Sequence, residues 1–324
     1  MRFLVLGAGA IGSVFGGFLA KAGHSVTLIG RKAHMDAIAR DGLVIDGIWG
    51  RHLITQGITP ATELTETLRE ALPPFDLCLL TVKSYDTAEA VRMLHNSFDD
   101  PPTVLSLQNG LGNLEIIAER IEAHKTIGGR VIFGVEHRQA GKVTVTVSAD
   151  VTRIGAYKNV IPWQEVAYLS TVFQQAGLPT EPTDDIERFV WGKVLYNCAL
   201  NALATLLNVN YGMLLASEAT KDIMREIVAE IFTVAQHLSV RLDWENPQQY
   251  LSILFNELIP KTFDHHPSML QDVLNGKRTE IDALNGAIAE LGKQHGCAVP
   301  YNSMLRNLIK ATENLCRVKK HPIT

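Results

Sequence analysis

The chain has 324 residues, 46% of them hydrophobic, and a formal net charge of −4 from 34 acidic and 30 basic side chains. That length allows a large core and two domains, and a slightly acidic chain without a basic face argues against a nucleic-acid partner. No stretch reaches the ~18 uncharged apolar residues of a membrane span, and glycines interrupt the apolar N-terminus where a signal peptide would run on. Cys78, Cys198, Cys297 and Cys316 are scattered, with no C-x-x-C pair. That is the pattern of reduced cysteines in a cytoplasmic protein.

Arg2 to Arg31 reads RFLVLGAGAIGSVFGGFLAKAGHSVTLIGR. Phe3 to Leu6 is a short apolar run, as in a strand buried on both faces. Gly7, Gly9 and Gly12 follow as G-x-G-x-x-G. Ile11, Val14, Phe15, Phe18 and Leu19 then recur at helical spacing. Gly23 closes that helix as a C′ residue, and Ser25 to Ile29 is a second strand. A strand–turn–helix–strand unit around these glycines is the setting a dinucleotide fingerprint requires. Gly7 permits the turn, Gly9 lets the backbone approach a pyrophosphate, and Gly12 lets helix and strand pack closely. An NAD enzyme would place an acid near the end of the second strand to hold the ribose 2′-hydroxyl. This strand ends Gly30-Arg31-Lys32, and a planar guanidinium suits a 2′-phosphate, so the expected cofactor is NADP(H). The alternative is that Arg31 and Lys32 belong to a solvated loop.

Gly42 to Ile48 and His52 to Ile58 read as two strands around a Trp49-Gly50 turn. Asp76 to Val82 and Thr103 to Leu107 read as central parallel strands. The first delivers Lys83 at its carboxyl end; the second delivers Gln108, Asn109 and Gly110. Ligands bind beyond those ends in open parallel sheets, although Lys83 as a loop residue and Asn109 as a turn former are equally open. Thr126 to Tyr157 alternates with period two, and the Gln139–Lys142 turn suggests hairpin strands closing the sheet. Pro162 to Ala176 is a helix ending the first domain, residues 1–178, and the Pro179/Pro182 segment reads as a linker. Residues 179–324 then carry helical patterns over Asp184–Leu207, Ser217–Val240, Pro247–Phe263, Thr279–His295 and Asn302–Cys316. The expected fold is an α/β Rossmann-type domain with a mostly parallel sheet, followed by an all-α domain.

The first helix of the second domain carries Lys193, Asn197 and Asn201 at i, i+4 and i+8. They fall on one face of an otherwise apolar helix. Such a row is costly to bury without partners. It reads as the lining of a cleft where the domains join, where ligand pockets concentrate, with a satisfied structural network as the alternative. Ser268 is a candidate N-cap for a short helix. Thr279, Glu280 and Asp282 read as capping and dipole-compensating residues in the first turns of the next. His265-His266 lacks a third ligand at a recognisable spacing, so no metal site is expected.

With these pieces in place the chain resembles the ketopantoate reductase (2-dehydropantoate 2-reductase) family along nearly its whole length. The matching pieces are the GAGAIG of Gly7, Ala8, Gly9, Ala10, Ile11 and Gly12, then Arg31, TVK at Thr81–Lys83 and LQNGLG at Leu107–Gly112. WGKVLYNCALN at Trp191–Asn201 and PSMLQD…RTEID…NG from Pro267 to Gly286 are the most distinctive. The resemblance implies NADPH-dependent reduction of a 2-oxo acid, ketopantoate to pantoate, in pantothenate and coenzyme A biosynthesis. It implies Lys193 as proton donor, Asn109 at both nicotinamide and substrate, and Asn197, Asn201 and Ser268 on the substrate. It implies that the GAGAIG residues, Arg31, Lys83, Glu280 and the backbone near Glu136 hold the cofactor. Where the family often has Asn before the glycine at 212, this chain has Tyr211, with Asn210 beside it. The approach to Ser268 is His265-His266-Pro267. Both departures bear on the exact substrate.

The chemistry suits the residues on its own terms. Hydride delivery to a ketone builds negative charge on its oxygen, and a positioned ammonium stabilises that charge and supplies the proton. An unperturbed Lys, with a pKa of about 10.4, arrives charged, and Asn amides donate to substrate oxygens without adding charge. Another NADPH-dependent 2-oxo-acid reductase on this scaffold is one alternative. A non-catalytic NADPH sensor is another, but it has no use for the Lys193/Asn197/Asn201 row. The helical domain leaves a homodimer open.

Overall fold

The computed structural model describes residues 1–66, 68 and 74–320. The chain divides into two compact units. One comprises Met1–Gln108 and Asn113–Ile186; the other comprises Asn109–Gly112 and the chain from Glu187 on. The first unit therefore runs through Ile186, past the linker expected near residue 178.

The first unit is built on an eight-stranded sheet. Its strands are β1 (Arg2–Leu6), β2 (Ser25–Ile29), β5 (Ile58–Ala61), β6 (Leu77–Leu80), β7 (Thr103–Ser106), β8 (Thr126–Arg130), β11 (Thr152–Ala156) and β12 (Thr180–Pro182). Their order is β12-β11-β8-β7-β6-β1-β2-β5. Strands β5 through β8 run parallel, and β11 turns antiparallel to β8. The middle strands are apolar on both faces because both faces are covered: Phe3, Leu4, Val5, Leu77 and Leu79 are fully buried. Each such side chain contributes about 1.5–3 kcal/mol of transfer free energy. Helices α1 (Ala10–Lys21), α2 (Lys32–Asp41), α3 (Thr87–Ser97), α4 (Asn113–Ile121) and α5 (Trp163–Gln175) connect the strands. As expected, Gly23 follows α1 in the left-handed region, with φ +88°.

A second, four-stranded sheet has the order β4-β3-β10-β9. It consists of β3 (Leu43–Gly47), β4 (His52–Ile54), β9 (Phe133–Gln139) and β10 (Lys142–Ser148). The β9–β10 hairpin therefore does not close the main sheet, as the alternation suggested. Period two shows only that one face is buried. That face lies on α1, where Gly17 meets Leu43 and Ile45 and Phe15 stacks on Phe133 at 5.9 Å. The expected His52–Ile58 strand stops at Ile54. After Gly57, whose φ is +77°, a separate strand β5 begins at Ile58 and pairs with β2. The Pro179/Pro182 segment is not a bare linker: β12 pairs with β11 at the sheet edge, where Pro is tolerated.

The second unit is helical. It contains most of α6 (Ile186–Leu207), then α7 (Glu218–His237) and α8 (Pro247–Ile253). Helix α8 continues through a π turn at Leu254–Leu258 into Ile259–Lys261. Pro260 lacks the amide that a regular turn needs at that point, and a π turn absorbs the loss. Helices α9 (Ser268–Leu274), α10 (Asn285–Gln294) and α11 (Pro300–Lys320) complete it. The expected Thr279–His295 helix is broken: a 3-10 turn at Ile281–Ala283 precedes α10, and Leu284 (φ −107°, ψ −110°) separates them. Among the described residues no helix is long and apolar enough to cross a membrane.

Candidate active site

In the first unit the glycine turn links β1 to α1. Gly7 has φ +98°, which a side chain rarely adopts. Its amide and that of Ala8 donate to Ile29 O at 3.1 and 2.8 Å. Thr81 Oγ1 donates to Gly7 O at 2.8 Å and so ties the turn to the end of β6. A Cβ at Gly7 would lie 2.4 Å from the Val82 nitrogen, and one at Gly12 would lie 2.5 Å from Thr81 Oγ1. Around Gly9 the nearest atom to such a carbon is 3.8 Å away. The first and third glycines are closed by packing, whereas Gly9 opens onto space. Gly9 also caps α1, whose first turn carries no acid, a composition compatible with an anion at that helix end. Ala10 and Ile11 are half-buried there.

Arg31 stands exposed as the N-cap residue of α2. Lys32 instead pairs with Asp36 at 2.9 Å. Lys83 follows β6 and caps the 3-10 turn Ser84–Asp86. Glu136 sits on β9 opposite Thr144, its carboxylate 2.8 Å from Arg138.

Gln108, which the sequence presents only as the residue before Asn109, staples the strand ends. Its Nε2 donates to Val82 O at 2.9 Å and Thr87 Oγ1 at 2.7 Å, and Ser106 Oγ donates to its Oε1 at 3.0 Å. Nothing in a Q-N-G string distinguishes this from an ordinary turn.

The second unit brings three segments together. The loop Asn109–Gly112 lies on the 3-10 turn, where Leu111 N donates to Ala283 O at 2.9 Å. Gly110 has φ +86° and no room for a Cβ, which would fall 2.4 Å from Ala283 O. Asn109 is thereby fixed between two charged groups. Lys193 Nζ, on α6, donates to Asn109 Oδ1 at 2.6 Å. Asn109 Nδ2 faces Glu280 Oε2 at 3.5 Å. Glu280 is buried, and so are Asn197 and Asn201, at 8% and 5% exposure. Asn201 accepts a hydrogen bond from the hydroxyl of Tyr211.

The three polar residues expected to cap one helix do three different things. Glu280 precedes the 3-10 turn rather than lying inside a helix, and it makes no cap bond there. Thr279 donates through N and Oγ1 to Glu313 at 2.7 and 2.6 Å. Asp282 receives Arg278 at 3.1 Å and Lys310 at 2.5 Å, and these cations hold its carboxyl below the usual range despite its partial burial. Ser268 is not an N-cap: Pro267 holds that position, and Ser268 is the exposed first residue of α9. Among the described residues no group of three or more His, Cys, Asp or Glu could hold a metal.

The family description "Ketopantoate reductase PanE/ApbA" matches residues 3–159, and its C-terminal counterpart matches residues 185–313. A 2-dehydropantoate 2-reductase of Aquifex aeolicus is 37% identical over 97% of this chain and 97% of its own length. The chain belongs to the ketopantoate reductase family. Another 2-dehydropantoate 2-reductase, from Pyrococcus horikoshii, is 36% identical over 97% of this chain and 98% of its own. Among solved structures, a PanE/ApbA family ketopantoate reductase from Ralstonia eutropha superposes with a TM-score of 0.86 at 30% identity, covering 98% of this chain and all of that one. D-mandelate dehydrogenase, solved with NADH and anilino(oxo)acetate, gives the same TM-score at 26% identity over 98% of this chain. Membership of the ketopantoate reductase family agrees with an α/β unit that carries a dinucleotide turn and a helical unit that carries the Lys-Asn row.

Proposed function

We propose that this protein reduces 2-dehydropantoate to pantoate with NADPH, a step toward pantothenate and coenzyme A. The observation that carries the reading is the contact of Lys193 Nζ with Asn109 Oδ1 at 2.6 Å, with Glu280 on the far side of the same amide. The first unit suits a dinucleotide: the space at Gly9 is a cradle that packing closes at Gly7 and Gly12. The backbone from Gly7 to Gly12 would hold the pyrophosphate, Arg31 the 2′-phosphate, and Lys83 would add charge. A reduced nicotinamide, when bound, supplies the hydride.

The remaining work belongs to side chains of the helical unit. As negative charge builds on the ketone oxygen, the Lys193 ammonium stabilises it and donates the proton. Asn109 holds Nζ in place through its Oδ1. Asn197 and Asn201 donate to the carboxylate and hydroxyl oxygens of the acid, with Ser268 as a further contact. Reduction of a different 2-oxo acid is the second reading, favoured by Tyr211 and by the likeness to a structure that holds an aryl-substituted oxoacetate.

The test is loss of reduced-nicotinamide absorbance with purified protein, NADPH or NADH, and a panel containing ketopantoate, 2-oxoisovalerate and benzoylformate. Ketopantoate should give the highest kcat/KM, and NADPH should be preferred. Turnover of benzoylformate alone would move the assignment to the second reading. Turnover of none would leave the chain a nucleotide-binding protein without this activity.

A further inference from the structure

Tyr211 and His265, 54 positions apart in sequence, meet in space. Tyr211 N donates to His265 O at 3.1 Å, Gly212 N donates to Phe263 O at 2.9 Å, and the Tyr211 and His265 rings lie 5.3 Å apart. The other side of Tyr211 packs edge-on against Tyr196 at 5.7 Å. The Tyr211 ring is 2% exposed, so its hydroxyl has little freedom. It donates to Oδ1 of Asn201, the last residue of the polar row on α6. Burial pushes the Tyr211 hydroxyl well above its ordinary pKa, so it keeps that proton.

An Asn amide offers one acceptor oxygen and one NH2. With Oδ1 bonded to Tyr211, the Asn201 amide is held with its oxygen on the tyrosine side and its NH2 on the other. At the other end of the row Lys193 is donor-only, and its Nζ donates to Asn109 Oδ1. Donors at the two ends of the row, the Asn201 NH2 and the Lys193 ammonium, suit a ligand with acceptor oxygens at both ends, as a 2-oxo acid has. A carboxamide would set an NH2 against the NH2 of Asn201, and a buried donor facing a donor is costly.

We propose that Tyr211 is a positioning residue: its hydroxyl holds the Asn201 amide with the NH2 toward the substrate, so the row accepts a 2-oxo acid and rejects the neutral 2-oxo amide. This rests on the reading of Asn201 as a substrate residue. Without the hydroxyl the amide can turn over and present either end.

The variant Tyr211→Phe keeps the ring and its packing. It should raise KM for the preferred oxo acid about three- to tenfold, the worth of one buried hydrogen bond. The effect on kcat should be smaller, with NADPH affinity and Tm near wild type. The ratio of inhibition constants for the 2-oxo amide and the acid should shrink by a similar factor. Adding Tyr211→Phe to Asn201→Ala should change little more, because the two residues act as one. Asn201→Asp, which retains an acceptor for Tyr211 but has no NH2, should raise KM above that of Asn201→Ala. A Tyr211→Phe enzyme with unchanged KM and unchanged discrimination, additive effects in the double variant, or tight acid binding by Asn201→Asp would each overturn the proposal. A wild type that turns over no 2-oxo acid would overturn the proposed function and this inference together, whereas an active wild type with those results would overturn this inference alone.

Discussion

Lys193 Nζ and Asn109 Oδ1 stand 2.6 Å apart across 84 positions of sequence. A hydrogen bond from an ammonium to a neutral amide holds the cation without neutralising it. A carboxylate in the place of Asn109 would pair with Lys193 and compete with a developing oxyanion. Asn109 thus orients the ammonium without adding a second carboxylate to the one Glu280 brings.

Removing that ammonium should therefore lower kcat by about 10²–10⁴, the usual worth of a positioned acid. Lys193→Ala should still bind NADPH, because the phosphate and ribose contacts proposed above lie in the first unit. Lys193→Arg should rescue little, since a guanidinium does not give up its proton near neutral pH. Wild-type activity should fall on the alkaline side as Nζ deprotonates, and Lys193→Ala should lack that limb. Folded Lys193→Ala turning over near the wild-type rate would remove Lys193 as proton donor.

The proposed preference for NADPH rests on Arg31, since Asp36 engages Lys32 at 2.9 Å. Arg31→Ala should weaken NADPH binding about ten- to a hundredfold, the loss of one charge-assisted contact, and leave NADH nearly unchanged. Titration of both nucleotides by fluorescence checks it. Equal losses would show that Arg31 does not read the 2′-phosphate.

The glycine turn was legible because each glycine answers to a local steric need, and because the strand and helix around it are contiguous in sequence. The Lys193/Asn197/Asn201 row was legible because helical periodicity fixes its face. Its partners were not. Asn109 and Glu280 come from segments far away in sequence, and only the packing of Gly110 on Ala283 sets them side by side. Tyr211 is visible in sequence only as an unusual residue, and its bond to Asn201 depends on where the Phe263–His265 segment runs. The hairpin was assigned to the wrong sheet for a related reason: alternation reports that Val143 and Val145 are buried and says nothing of which helix covers them.

His34 gives a pH dependence that belongs to the fold. Its Nδ1 accepts from Gly141 N at 2.8 Å, so its Nε2 carries the proton and donates to Ser13 Oγ at 2.9 Å. Burial, and then the charge of His137, lower its pKa from 6.5 to about 4. The unfolded chain takes up a proton below about pH 6.5, while the native one resists until about pH 4. Stability should be complete above that window and fall as pH drops through it, by about 2–3 kcal/mol. Urea unfolding of wild type and His34→Gln at several pH values checks this. The wild type should lose more between pH 6.5 and 4, and parallel curves would mean that the imidazole titrates normally in the fold.

Glu230, on α7, caps the last helix from the side. It is 7% exposed, and its carboxylate accepts from Tyr301 N at 2.7 Å, Asn302 N at 2.9 Å and Asn302 Nδ2 at 2.7 Å. Pro300 opens α11 and has no amide to satisfy, so Glu230 meets the next two, and its charge suits the positive end of the helix. Asn302 in turn accepts from Asn285 Nδ2 at 2.9 Å, and that group also reaches Cys198 O on α6 at 3.2 Å. One carboxylate thus ties α7, α10 and α11 to the helix that carries Lys193 and Asn197. Glu230→Ala leaves several buried donors unmet and should cost about 2–4 kcal/mol, or roughly 5–10 °C in Tm. Glu230→Gln keeps one acceptor oxygen but sets an NH2 against a backbone amide, so it should fall between the two. Thermal scans with and without NADPH check the order, and the loss should persist in both. A Glu230→Ala protein melting within about a degree of wild type would show that water or a neighbouring side chain replaces the carboxylate, and the tie to α6 would then carry no weight.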